Sequence, residues 1–357
     1  MGTINKQSVS LPHLPPMNIQ IVSKPRRNFI FRSIMERDVR AFSSLFKLCF
    51  GHRPSEKYIR WRYFGTPTGT SPTVLAIDKN TCVASFMFWP TRVTLDGKEV
   101  MAGVGADAMT HPDYRGRGLF VSLVEKGYDL ISKRGYQFFF AFPNDKSLPI
   151  AARRLNWDHV CDIHSWVRPL WVLGTSPLSG IVASMSLLWS SNTTNAPRIV
   201  AETPAPEETA FLATRCEETK DICRVKRDRE WFAWRYHADS DRNYKWLAAY
   251  VGTELKGVAV WRFDPTIRRV FLCELIGDSQ SIPALLKSVL RAAYRQKARA
   301  IEFPTNDPAL IPLLKSNGFI RRSGHHLVVR SCTDKILPAN IHRAEAWRIY
   351  GGDIDYF

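Results

Sequence analysis

The stretch THPDYRGRGLFVSLVEKGYDLI, residues 110–131, decides how this chain reads. A Pro112-Asp113-Tyr114 turn leads into Arg115-Gly116-Arg117-Gly118. An amphipathic run follows, with Phe120, Leu123, Val124, Gly127 and Ile131 on one helical face. The first turn of a helix carries unpaired N–H groups, and its aligned peptide dipoles concentrate partial positive charge there. Glycines let the backbone close on an anion without a Cβ in the way. Arginines add fork-shaped donors suited to phosphate oxygens. The loop therefore reads as a cradle for a pyrophosphate. It is not a Walker loop, because GxxxxGK[ST] is absent, and it is not a GxGxxG dinucleotide fingerprint after a first strand.

The flanking sequence supplies the scaffold such a loop needs. AGVGADAMTH (102–111) reads as the strand that feeds it, and YQFFFAF (136–142) as a buried strand after the helix. Upstream, NFIFRSI (28–34) alternates as a strand. MERDVRAFSSLFKLCF (35–50) has helical spacing, and TVLAID and CVASFMFWPTRVTL form a hairpin across Lys79-Asn80. The same order recurs later. KWLAAYV, LKGVAVWRF and RRVFLCELI read as strands, IPALLKSVLRAAYRQ as a helix and RAIEFP as the strand after it.

The recurrence extends to residues. Trp-Arg-Tyr occurs at Trp61-Arg62-Tyr63 and at Trp234-Arg235-Tyr236, an offset of 173. Phe142-Pro143-Asn144-Asp145 and then Asn156-Trp157 are echoed by Phe303-Pro304-Thr305-Asn306-Asp307 and then Gly318-Phe319. A period this long is a duplicated domain rather than a solenoid. The expected division is an extended or disordered tail over 1–28, a first domain over 29–168, an interdomain helix and linker over 169–206, and a second domain over 207–357. The boundary falls in SSNTTNAPRIVAETPAP (190–206).

Fifty Lys+Arg against 33 Asp+Glu give a formal charge of +17, which favours anionic partners. The basic residues are scattered, however, as a solvated surface would have them, and nucleic acid is not the expected partner. Seven cysteines, with no CxxC pair, indicate neither a disulfide framework nor a zinc site. They read as free thiols of a cytoplasmic protein, with no metal expected. Residues 169–189 lack a formal charge but contain Pro177, Gly174 and Gly180. This segment reads as an interdomain helix with a greasy face near 179–190, able to touch an anionic membrane peripherally rather than to span it.

The loop and its setting resemble the GNAT acyltransferase superfamily, whose signature is [RQ]-x-x-G-x-[GA] between a strand and a helix. Arg115, Gly116, Arg117, Gly118 and Leu119 match it, while Phe120 departs from the small final residue. The resemblance covers about residues 29–160 and includes Asn144 at the end of the later strand; the second copy is similar in layout only. It implies a mixed α/β fold of two tandem GNAT-like domains, each a mixed central sheet flanked by helices. It also implies acetyl-CoA as co-substrate. Loop amides would hold the pyrophosphate, and the backbone around Ala108, Met109 and Thr110 would hold the pantetheine arm or thioester oxygen. Asp107 then becomes the candidate general base, with Tyr114 and His111 as weaker candidates. The place where many relatives carry a catalytic tyrosine is Ala152 here. A C-terminal carboxylate at Phe357 is a further candidate, and Trp61-Arg62-Tyr63 could line the acceptor site.

The second copy is degenerate. Aligning Phe142 with Phe303 puts Ile276-Gly277-Asp278-Ser279 opposite Arg115 to Gly118, so an aspartate takes the phosphate position. Three functions fit. The first is acetyl-CoA-dependent N-acetylation of a small-molecule or sugar amine. The second is a Fem-type aminoacyl transferase fed by charged tRNA, whose domains generally lack the CoA loop. The third is a non-catalytic binding protein on the same fold.

Overall fold

The computed structural model describes residues 29–170, 196–216, 222–238, 242–332 and 339–354. The expected tail over 1–28, the greasy helix near 179–190 and the terminal Phe357 lie outside the described residues.

The strands predicted on either side of the loop assemble into one mixed sheet. β1 (Ile30–Ser33), β2 (Thr73–Asp78), β3 (Thr81–Leu95) and β4 (Lys98–Thr110) pair antiparallel in sequence order. β5 (Phe138–Ala141) then joins β4 in parallel, which the intervening helix α3 (Leu119–Lys133) makes sterically natural. Helices α1 (Val39–Phe50) and α2 (Glu56–Phe64) precede β2, and α4 (Leu148–Leu155) follows β5. α3 lies so close to β3 that a Cβ on Gly127 would meet Phe88 Cε2 at 1.9 Å. Leu119, Leu123, Val124, Tyr128 and Ile131 of α3 are buried as the helical spacing requires. Phe120, expected on that face, is only half-buried.

The later half repeats this pattern. β7 (Arg198–Val200), helix α5 (Pro206–Arg215), β9 (Lys245–Val251), β10 (Glu254–Asp264) and β11 (Arg269–Gly277) lead to helix α6 (Ser281–Arg295). β12 (Ala300–Pro304) then joins β11 in parallel, and α7 (Ile311–Ser316) follows. A short β8 (Cys223–Val225) pairs with β3 and with β14 (Trp347–Arg348).

The last strand of each half crosses over. β6 (Asp158–Pro169), which ends the first half, pairs antiparallel with β12 of the second. β13 (Ile320–Ser331), which ends the second half, pairs antiparallel with β5 of the first. β6 and β13 pair with each other at the centre. The path β1-β2-β3-β4-β5-β13-β6-β12-β11-β10-β9-β7 is thus continuous. Separating the halves at the linker would strip ladder partners from β5 and β12 and expose unpaired edges.

Candidate active site

Two local features open a cleft beside the loop. Pairing between β4 and β5 stops at Gly105↔Ala141, while β4 continues to Thr110. The backbone from Ala106 to Thr110 therefore has no β5 ladder on that edge. In addition, β4 is bulged. Ala106 pairs with Met87 and Met109 with Ser85, so Asp107 and Ala108 together oppose Phe86. Asp107 sits at φ 46, the left-handed region that few non-glycine residues occupy.

Past β4, the turn locks itself. His111 Nδ1 accepts from the Asp113 amide at 3.3 Å, and the Tyr114 hydroxyl donates to Asp78 Oδ2 at 2.8 Å. Arg117 donates to the Asp113 carbonyl at 2.9 Å and lies over the Tyr114 ring. Gly116 and Gly118 then adopt φ 74 and 76, with nothing within 4 Å of where a Cβ would project. Gly118 is the N-cap of α3, and no side chain caps that helix start. Gly118, Leu119 and Phe120 at this start line a cavity of about 930 Å³.

That cavity runs between the loop and the start of α4. Tyr114, Arg115, Gly116, Gly118, Leu119 and Phe120 form one wall, and Asn144, Lys146, Ser147 and Arg154 the other. Ala108 and Thr110 of β4 reach its lining, beside Cys49 and Phe50 of α1. The Asn144 side chain accepts from the amides of Lys146 and Ser147 at 3.1 Å, fixing the turn into α4. Cys49 Sγ donates to the Thr110 carbonyl at 3.5 Å, and burial pushes its thiol above the ordinary value. Three cations, Arg115, Lys146 and Arg154, therefore border one uncapped helix start. Lys146 and Arg154 were not singled out in the sequence, although their position just after Asn144 was the available signal. Arg117 and the Met109 side chain do not line the cavity, while the Met109 backbone, the group expected to meet the cofactor, lies on the β4 edge that β5 leaves unpaired. Met109 is buried in the core, and Arg117 serves the turn.

A second cavity of about 660 Å³ adjoins the first. The two share Phe50, Ala108, Phe120, Asn144 and Ser147 as walls. Tyr58, Phe86 and Trp157 give the second an aromatic lining, with His52 and Asp107 from the first half. Arg242, Gly324 and His325 enter from the second half. Arg242 donates to the Tyr58 hydroxyl at 2.9 Å. Burial, then the neighbouring His326, pushes His325 down to about 4. Arg242 lies 184 positions from Tyr58, so no local pattern announces such a neighbour.

Asp107 is not a loose carboxylate. Arg62 Nε donates to its Oδ2 at 2.7 Å, and the Tyr63 hydroxyl donates to the same oxygen. Both ion-pair side chains are nearly inaccessible, at 1% and 9%. Burial first, and then the Asp107 charge, hold the Tyr63 phenol far above its ordinary value. Trp61-Arg62-Tyr63 thus lies behind the bulge.

The corresponding region of the second half is occupied. Asp278 Oδ1 accepts from the amides of Gln280 at 3.1 Å and Ser281 at 2.7 Å, so a carboxylate fills the α6 start. The turn Gly351–Asp353 lies on β11. A Cβ on Gly351 would meet the Leu272 carbonyl at 2.5 Å, and one on Gly352 would meet Glu274 Oε1 at 2.0 Å. Asp353 and Glu274 share Arg227, at 2.7 and 3.1 Å.

A parallel strand pair thus parts beside an uncapped, glycine-entered helix in a mixed α/β fold. Residues 31–160 match the family model described as acetyltransferase (GNAT) domain. Among solved structures, a probable N-acyltransferase from Enterococcus faecalis V583 is similar, with TM-score 0.62 and 10% identity. The match covers 86% of this chain and 73% of that one. A GCN5-related N-acetyltransferase from Anabaena variabilis ATCC 29413 gives TM-score 0.62 at 11% identity, with the same coverage of 86% and 73%. One from Kribbella flavida gives TM-score 0.59 at 13% identity, covering 85% and 72%. No curated protein sequence matches the chain significantly. None of the seven cysteines is joined in a disulfide. Among the described residues no helix is long and apolar enough to cross a membrane.

Proposed function

We propose that the chain is an acetyl-CoA-dependent N-acetyltransferase that passes the acetyl group directly to the amine of a small molecule or sugar, with both substrates bound at once. The observation that carries this reading is the shared wall between the two cavities. The first suits a diphosphate-bearing cofactor: amides at a helix start, three cations and glycines that permit close approach. The second suits an acceptor, because its aromatic walls can stack on a sugar ring or an alkyl amine. Ala108 and Phe120 stand where the two would meet.

In the reaction the amine nitrogen attacks the thioester carbon. The C–S bond breaks, the thiolate of CoA leaves, and the amine gives up a proton. The β4 backbone between Ala106 and Thr110, relieved of β5 pairing, supplies donors and acceptors for the pantetheine arm and thioester oxygen. Asp107 acts in this reading by holding the bulge through Arg62 and Tyr63. The amine's proton passes to the imidazole of His52 on the acceptor wall. The second half contributes to the acceptor cavity but holds no cofactor, because Asp278 occupies its helix start.

The test is an initial-rate study with acetyl-CoA and a panel of aminosugars, polyamines and amino acids. Amine-dependent release of CoA thiol, with intersecting double-reciprocal lines, is the expected result. Parallel lines would contradict direct transfer. Absence of amine-dependent release would contradict the enzymatic reading itself.

A further inference from the structure

A strand pairing and a bulge bring three metal-ligand side chains to one place. His326 of β13 lies directly opposite Asp162 of β6. His159 is three residues before Asp162, and in a regular strand those two would point to opposite faces. The ladder shifts here, however: Leu327 pairs with Cys161 and Val328 with His159. Val160 is therefore an extra residue, and it returns His159 to the face of Asp162. Asp162 Oδ1 stands 3.0 Å from His159 Nε2 and 2.7 Å from His326 Nδ1. One ligand atom from each of the three residues lies within 4.8 Å of the others.

We infer that His159, Asp162 and His326 form a binding site for a divalent zinc-class cation. Two imidazoles and a carboxylate favour zinc over magnesium or calcium, which take oxygen ligands. Zinc–ligand bonds of about 2.0–2.1 Å in a tetrahedral arrangement put ligand atoms roughly 3.3 Å apart. The observed separations need only small side-chain adjustments to reach that. A further contact points the same way. The remote nitrogen of His326, Nε2, is 2.8 Å from Asp145 Oδ1. A ligating histidine commonly gives its second N–H to a carboxylate, which fixes the ring and its tautomer. The cation would replace the protons now shared between Asp162 and the two imidazoles, releasing them on binding.

The location gives the site a role. β6 and β13 are the two crossed-over strands, so the ion clips one half of the chain to the other. Asp145 also borders the acceptor cavity, so the clip reaches its rim. Cysteine spacing could not have revealed this site, since His326 and Asp162 are 164 residues apart.

The test uses the full chain stripped with chelator. Zinc chloride is titrated by calorimetry, and cobalt(II) by its visible absorption, into the wild type, His159→Gln and Asp145→Asn. His159 and Asp145 are solvent-facing, at 44% and 96% side-chain exposure, so both variants should keep the fold. The expected result is one zinc per chain in the wild type, with a higher thermal midpoint when loaded. His159→Gln should lose stoichiometric binding, and Asp145→Asn should weaken it by about 10–100-fold. Absence of stoichiometric binding in the wild type, or wild-type affinity in His159→Gln, would overturn the assignment.

Discussion

Trp61 and Trp234 exchange hydrogen bonds with each other's backbone. Trp61 Nε1 donates to the Trp234 carbonyl at 2.8 Å, and Trp234 Nε1 donates to the Trp61 carbonyl at 3.2 Å. Their rings stack at 4.9 Å with an interplanar angle of 17°. The two members of the repeated Trp-Arg-Tyr motif thus face each other, and each satisfies the buried N–H that its own indole carries. The neighbours follow suit. Tyr63 donates to Asp107 on β4, and Tyr236 donates to Glu274 on β11 at 2.7 Å.

The reciprocal pair should behave as a unit. Trp61→Ala and Trp234→Ala are each expected to cost about 3–5 kcal/mol, the range for deleting a large core aromatic. The double variant should cost less than the sum by about 1 kcal/mol or more, since the second deletion finds its partner already gone. A double-mutant cycle by urea unfolding measures this. Strict additivity would mean that the stack and its bonds carry no joint energy.

Asp107 separates a base from a positioning carboxylate. Asp107→Asn removes the carboxylate charge from a buried ion pair with Arg62, which should destabilise the chain by up to about 3–5 kcal/mol. Activity should fall along with the loss of bulge geometry, while the acid limb of the pH–rate profile stays where it is in the wild type. Disappearance of that limb in an otherwise folded variant would restore Asp107 as the general base.

Glu274 predicts a pH dependence of stability. Burial raises its pKa above the ordinary 4.5 and Asp353 adds to the effect, while Arg227 and the Tyr236 hydroxyl oppose it. The net direction is upward, so the folded state holds the proton more tightly than the unfolded chain. That contribution is fully present below 4.5 and is lost as pH rises through the folded-state value. Glu274→Gln is permanently uncharged and leaves Arg227 paired with Asp353. It should therefore gain on the wild type as pH increases from about 4 to about 8, read from urea midpoints. A gap that shrinks with pH would reverse the sign and refute the assignment.

Much of the site was legible before the fold because it is local. The loop, its glycines and the strands beside it occupy consecutive residues, and the turn chemistry of Pro112 to Gly118 needs nothing from elsewhere. The substitution of Asp278 for a phosphate contact was likewise readable, since it follows from one alignment offset. The crossing of β6 and β13 was not legible. Both strands carry the same pattern whether they close their own half or the other, and only packing chooses between these. The acceptor wall failed for the same reason, because Arg242 and His325 reach it from the far half. Phe120 read as core from its helical spacing, yet it turns toward the cavities and packs edge-on against Phe86 at 5.8 Å. Arg117 read as a phosphate ligand from its charge, and it also donates to the Asp113 carbonyl of its own turn.

The central claim is that the uncapped start of α3 grips a diphosphate and that the first half alone does so. Calorimetry with acetyl-CoA on the wild type and on Gly118→Asp tests it most directly. The Cβ of the aspartate meets nothing within 4 Å, and the residue type tolerates positive φ better than most, so the variant should fold. Its carboxylate would confront the diphosphate. The account predicts one acetyl-CoA per wild-type chain and at least about a 100-fold loss of affinity in Gly118→Asp, equivalent to about 2.8 kcal/mol. Equal binding by both proteins, two acetyl-CoA per wild-type chain, or no binding by the wild type would contradict it.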